Sequence, residues 1–202
     1  MITFQIRAIA ISLFILSAGL DVLSAFPKTV PIEPKLEDSD FPEPYRLEVV
    51  AENLRAPWSI EFLPDRRILF TEKTGRVRII ENDQLLEEPA LVMPVTLNGT
   101  SGMFSVLAHP NFRENNWVYI SSSYDTGEDL WLEVNRFTME GNQLINPTRI
   151  IADIPCNVNH SGGRLRFGPD RKLYLTTSDR NKPLLAQELD NLIGKVLRFN
   201  PD

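Results

Sequence analysis

The sequence is poor in the residues from which thiol and metal chemistry is built. It holds one cysteine, Cys156, and two histidines. One thiol cannot close an internal disulfide, and so few Cys and His exclude a Cys/His zinc site. Cys156 stands in the apolar run Ile154-Pro155-Cys156, which predicts a buried, inert thiol. Clustered positive charge is also missing. There are 21 Lys and Arg against 27 Asp and Glu, a net charge of −6, with no basic stripe. A surface for nucleic acid needs such a stripe to neutralise phosphates, so that partner class is set aside.

Charge is scarcest at the N-terminus. Arg7 is the only charged side chain before Asp21, and Ala8 to Leu20 carries none. A basic start followed by an apolar run of this length predicts a secretory leader over residues 1–25, cleaved after Ala25. The run is short for a membrane span, which needs ~20 apolar residues. The expectation is therefore a secreted or periplasmic protein with no stable membrane span after cleavage; an uncleaved anchor is the alternative. Residues 26–44 interleave Pro27, Pro31, Pro34, Pro42 and Pro44 with Glu33, Glu37, Asp38, Asp40 and Glu43. That composition predicts a solvated, extended linker.

From Tyr45 the composition is that of a globular domain: 43% of the whole chain is hydrophobic and 24% charged. Short runs rich in β-branched and aromatic residues are punctuated by Pro, Asp and Gly. Trp58 to Leu63 leads through Pro64-Asp65 into Arg67 to Thr71, and Lys73-Thr74-Gly75 turns into Arg76 to Ile80. The unit returns as Ser105 to His109, Pro110-Asn111 and Trp117 to Ser121. It returns again as Gly163 to Phe167, Gly168-Pro169-Asp170 and Lys172 to Thr176. Further strands are expected at 130–138, 148–154 and 194–199, so each interval holds about four short strands, as propeller blades do. A β-sandwich with coincidental turns is the competing architecture. Residues 183–192 suit a short helix, with Pro183 in its first turn and Gly194 after its end, or a loop.

Chemistry gathers at one place in this pattern. His160 precedes the first strand of the third unit and Asp179 follows the second. A hairpin returns its ends to one edge, so the imidazole and the carboxylate can meet, which would fix the histidine's tautomer and raise its basicity. Gly162 and Gly163 would let another group approach the backbone closely. On spacing alone, a structural histidine is the competing explanation.

Four stretches in order resemble one family. They are Leu54-Arg-Ala-Pro-Trp58 into Glu72-Lys-Thr-Gly75, Gly102-Met-Phe104 to His109-Pro-Asn-Phe112, His160-Ser-Gly-Gly-Arg-Leu165 through Asp179-Arg180, and Ala186-Gln187 to Gly194-Lys-Val-Leu-Arg198. Together they resemble the soluble quinoprotein sugar dehydrogenases, the PQQ-dependent glucose and aldose sugar dehydrogenase family. The resemblance implies an all-β fold, a six-bladed β-propeller of which residues 45–202 hold about three blades. It implies oxidation of the anomeric hydroxyl of an aldose to a lactone, with hydride transfer to the quinone and an external electron acceptor. His160 matches the general base, Asp179 the carboxylate orienting it, and Asn159, with His160, the cofactor contacts. Where the family carries Gly-Gln-Gly-Gly, this chain reads Gly99-Thr100-Ser101-Gly102, which puts Thr100, of shorter reach, at the sugar-binding position. Two Pro-Asp turns continue with Arg66 and Arg171 where the family has glycine; a positive φ there would cost about 1–2 kcal/mol each. The resemblance also implies PQQ and Ca2+ as cofactors. The calcium ligands and a catalytic arginine lie, in the family, beyond the counterpart of Asp202, so the chain reads as a truncated form expected to bind quinone poorly alone. A non-catalytic secreted propeller that binds a ligand or protein is the alternative. Two sequons, Asn98-Gly-Thr100 and Asn159-His-Ser161, would accept glycans on a eukaryotic secretory route; chance occurrence is the competing explanation.

Overall fold

A computed structural model describes residues 5–11 and 46–202. The chain divides into two compact units, Met1–Leu54 and Arg55–Asp202. In the first, strand β1 (Gln5–Ile11) pairs in parallel with β2 (Arg46–Leu54). The expected leader overlaps β1; its remainder and the expected linker lie outside the described residues. Among the described residues no helix is long and apolar enough to cross a membrane.

The second unit is three antiparallel sheets, each a meander in chain order. The first contains β3 (Pro57–Phe62), β4 (Ile68–Glu72) and β5 (Arg76–Glu81); the short β6 (Gln84–Leu85) and β7 (Leu91–Val92) share the far side of β5. The second contains β8 (Met103–Ala108), β9 (Trp117–Asp125), β10 (Leu130–Glu140) and β11 (Gln143–Pro155). The third contains β12 (Gly162–Phe167), β13 (Leu173–Thr177) and β14 (Val196–Phe199). These strands cover the predicted runs to within a few residues. The two Pro-Asp turns close alike: Leu63 N–H donates to Arg67 O and Gly168 N–H to Lys172 O, at 2.9 and 3.0 Å. The middle copy differs. After Pro110-Asn111 it inserts one helical turn, α1 (Phe112–Asn115), ended by Asn116 at φ 54°. The stretch left open between helix and loop contains a 3-10 helix at Pro183–Gln187, with Pro183 at its start.

The core lies in two layers, one on either face of the middle sheet. Val118 and Ile120 of β9 pack with Leu69, Val77 and Ile79 of the first sheet, while Tyr119 packs with Leu165, Leu173 and Leu175 of the third. A strand buried on both faces must be apolar or small at every position. β9 obeys this, with Val118 to Ser123 all buried.

Hydroxyls join one sheet to the next by a repeated device. Ser59 N–H donates to Thr71 Oγ1 (3.1 Å), and that hydroxyl donates to Phe104 O on β8 (2.5 Å). Val106 N–H returns to Ser59 Oγ at 3.4 Å. One sheet on, Ser105 N–H donates to Ser121 Oγ (3.0 Å), Ser121 donates to Gly163 O on β12 (2.5 Å), and Leu165 N–H returns to Ser105 Oγ (3.0 Å). Each first strand shifts register at this point, so its backbone groups are freed to be satisfied by the neighbour.

Candidate active site

The loop from Asn157 to Ser161 enters β12, and the segment from Ser178 to Asn181 leaves β13. Because these strands pair antiparallel, with Gly162 opposite Thr177, both segments emerge at one edge. There His160 Nδ1 lies 2.6 Å from Asp179 Oδ1. Asn181 N–H also donates to that oxygen, at 3.0 Å, and the Ser178 hydroxyl donates to His160 O. The bond from His160, followed by that from Asn181, holds the Asp179 carboxyl below the ordinary carboxylate range. Asp179 is therefore ionised at neutral pH and accepts the Nδ1 proton, which leaves the imidazole's free lone pair on Nε2.

His160 opens onto a cavity of about 350 Å³ lined also by Trp58, Thr100, Phe104, Asn159, Ser161, Gly162 and Ser178. The cavity thus draws on the first strand of each sheet, or the loop before it. Trp58 is half-exposed and meets the buried Phe104 ring edge to face, centroids 5.8 Å apart. The group that approaches Gly163 is a protein one: a Cβ there would lie 2.6 Å from the Phe104 ring, at φ +97°. Asn159 is exposed, and its N–H donates to Asn157 Oδ1 at 3.1 Å. The Thr100 hydroxyl is within 3.1 Å of Val158 O and 3.3 Å of Ser161 Oγ. Ser161 donates its own proton to Asn157 O (2.8 Å), so the Thr100 proton is spent inside the loops and a sugar hydroxyl would meet Thr100 as an acceptor.

The other polar candidates stand apart from this cavity. His109 Nδ1 accepts from Asn111 N–H at 3.0 Å, its ring packs edge-on against Trp117 and Phe167, and burial pushes its pKa down. It is a structural histidine. Cys156 is buried, and burial pushes its thiol up to about 12. Among the described residues no three His, Cys, Asp or Glu side chains gather as a metal site.

Residues 54–202 match the family described as Glucose / Sorbosone dehydrogenase. The chain belongs to that family. It is 28% identical to the quinoprotein glucose dehydrogenase B of Acinetobacter calcoaceticus over 91% of its own length and 45% of the relative's. It is 28% identical to an aldose sugar dehydrogenase of Escherichia coli over 78% of its length and 44% of the relative's. It is also 28% identical to the mouse Hedgehog-interacting protein over 77% of its length and 26% of that protein's. Among solved structures, the PQQ-bound aldose sugar dehydrogenase of Streptomyces coelicolor superposes with a TM-score of 0.68 at 27% identity, covering 75% of this chain and 46% of that one. An oxidoreductase (glucose dehydrogenase) of Thermus thermophilus does so with the same score at 34% identity, covering 74% and 44%. The three sheets are blades of a β-propeller, and the chain spans under half the length of these sugar dehydrogenases.

PQQ is planar and carries carboxylates. The aromatic wall of Trp58 and Phe104 suits a flat ring, and the exposed Asn159 amide can hydrogen-bond to it. No Lys or Arg lines the cavity to pair with the carboxylates. The described residues thus fit the ring rather than its charge.

Three features escaped the sequence: the hydroxyl joints, the engagement of Thr100 with Val158, and the aromatic wall. The first has a weak signal, since Ser or Thr recurs at matched strand positions.

Proposed function

We propose that this chain carries the general-base side of a PQQ-dependent aldose sugar dehydrogenase site, which oxidises an anomeric hydroxyl to a lactone. The observation that carries the reading is the 2.6 Å contact between His160 and Asp179 at the mouth of an aromatic-walled cavity, in a chain of this family. Asp179 holds the imidazole by Nδ1, and His160 takes the anomeric hydroxyl proton at Nε2 as C1 becomes a carbonyl carbon. PQQ, when bound, supplies the two-electron hydride acceptor. Asn159 would contact it, and Thr100 forms part of the wall that the sugar meets. A site assembled from several blades holds both partners in register without reorganising. Calcium enters this reading through the family alone. Export to the periplasm or the outside by way of a leader over residues 1–25, with residues 26–44 as a linker, belongs to the same proposal, as does an external electron acceptor.

The test is sugar-dependent dye reduction by a chain completed to the length of its sugar dehydrogenase relatives and reconstituted with PQQ, Ca2+ and an aldose. Turnover should fall about 10²–10⁴-fold in His160→Ala, the usual contribution of a general base. Turnover indifferent to that change would sink the reading. A second reading, a propeller that binds without catalysis, draws support from the likeness to Hedgehog-interacting protein and from Thr100 at the sugar position. It gains if sugar binds, no dye is reduced, and His160→Ala leaves binding unchanged.

A further inference from the structure

The geometry assigns Thr100 a second role: it is a positioning residue that fixes, from the connection between the first two blades, the loop carrying His160. The consequence for catalysis rests on the base reading of His160; the clamp itself is argued from contacts alone.

Three of the four carbonyls from Asn157 to His160 are held by hydrogen bonds. Asn157 O accepts from Ser161 Oγ, and His160 O accepts from Asn157 N–H and from the Ser178 hydroxyl. These bonds come from the loop itself or from the segment leaving β13. Val158 O, at the crown, is held instead by Thr100, through its N–H at 2.5 Å and its hydroxyl at 3.1 Å. The same hydroxyl lies 3.3 Å from Ser161 Oγ. One side chain thus engages both arms of the turn on which His160 sits.

The clamp is itself braced. Asn98 N–H donates to Ser101 Oγ (2.8 Å), and that hydroxyl donates to Asn98 O (2.5 Å), closing a tight turn around Thr100 on the fully buried Ser101. Lys73 Nζ donates to Gly99 O and ties the turn to the first blade. Gly99 permits the close approach: at φ +55° a Cβ would stand 2.1 Å from Val158 O.

The test is made on the full chain without cofactor or sugar. Asp179 reports the contact, since His160 is the main cause of its lowered carboxyl titration. Its midpoint is read by carbon NMR, assigned with Asp179→Asn, in wild type, Thr100→Val and Thr100→Ser. Thr100→Val keeps the shape and removes the hydroxyl; its Asp179 midpoint should rise toward the ordinary aspartate value of about 3.9. Thr100→Ser should titrate as wild type. A wild-type midpoint in Thr100→Val overturns the proposal, and so does an equal rise in Thr100→Ser. If Thr100→Val does not fold, Thr100→Ala removes the same hydroxyl and must raise the midpoint; an unchanged one overturns the proposal. No turnover is read, so failure of the dehydrogenase reading would show in the dye assay and not here.

Discussion

Arg66 and Arg171 stand at φ 76° and 59°, in the left-handed region that side chains bearing a Cβ avoid. Both follow a Pro-Asp pair whose aspartate accepts the N–H two residues on, Asp65 from Arg67 and Asp170 from Lys172, each at 3.1 Å. The turn dictates the dihedral and the side chain bears the strain, about 1–2 kcal/mol per position. Glycine would remove the strain and lose part of the gain to unfolded-chain entropy. Arg66→Gly and Arg171→Gly should each raise stability by about 1 kcal/mol, read as a shift in the urea midpoint at constant slope. A loss in either would show that the arginine side chain stabilises the turn by some other route. Both positions were legible as departures in the sequence. The state of Thr100 was not, because its partner Val158 is far along the chain and only the assembled blades bring them together.

At the scale of elements, the turn joining β12 and β13 is tied to β14 by charge. Arg198 Nε donates to Asp170 Oδ2 at 2.8 Å, and the Tyr174 hydroxyl donates to the same oxygen at 3.0 Å. The bond from Arg198, the largest cause, helps pull the Asp170 carboxyl down to about 2. A carboxyl lowered on folding stabilises the folded state fully above its unfolded pKa, here an ordinary 3.8, and the contribution is lost as pH falls through about 2. Acid unfolding of wild type should therefore lie at lower pH than that of Asp170→Asn, and the two curves should converge below about pH 2. Identical acid midpoints would count against the tie. Most strands were legible here because turns and β-branched runs mark them locally. The buried Glu72 was not. It accepts from Arg55 N–H (2.6 Å) and from the Arg76 guanidinium (2.5 Å), its partner directly across β4 and β5, and a glutamate at a strand end looks solvent-facing until its arginines are placed.

For the Arg55–Asp202 unit as a whole, the two hydroxyl joints connect three sheets that backbone pairing leaves separate. The sequence showed that the unit repeats, through the turns, but not how the repeats are coupled. Serines in apolar strands look like interruptions until the neighbouring blade's carbonyl is seen. Ser121→Ala leaves Gly163 O without its buried donor and should cost about 1–3 kcal/mol, as a lost buried bond does. Thr176, at the matching position of the third blade, accepts from Arg164 N–H at 3.3 Å and is exposed; Thr176→Val should cost less than half as much. Urea denaturation of the two variants compares them, and equal losses would show that the joint adds nothing across blades.

The joints also have a direction. In both, the hydroxyl of a second strand gives its proton to the following blade, and the serine of a first strand receives an N–H from that same blade. The middle blade therefore carries a socket on one side and a matching plug on the other. Such a part composes with copies of itself: a duplicated middle blade would meet its own complement at the new seam, which gives tandem duplication a physical route to a working repeat.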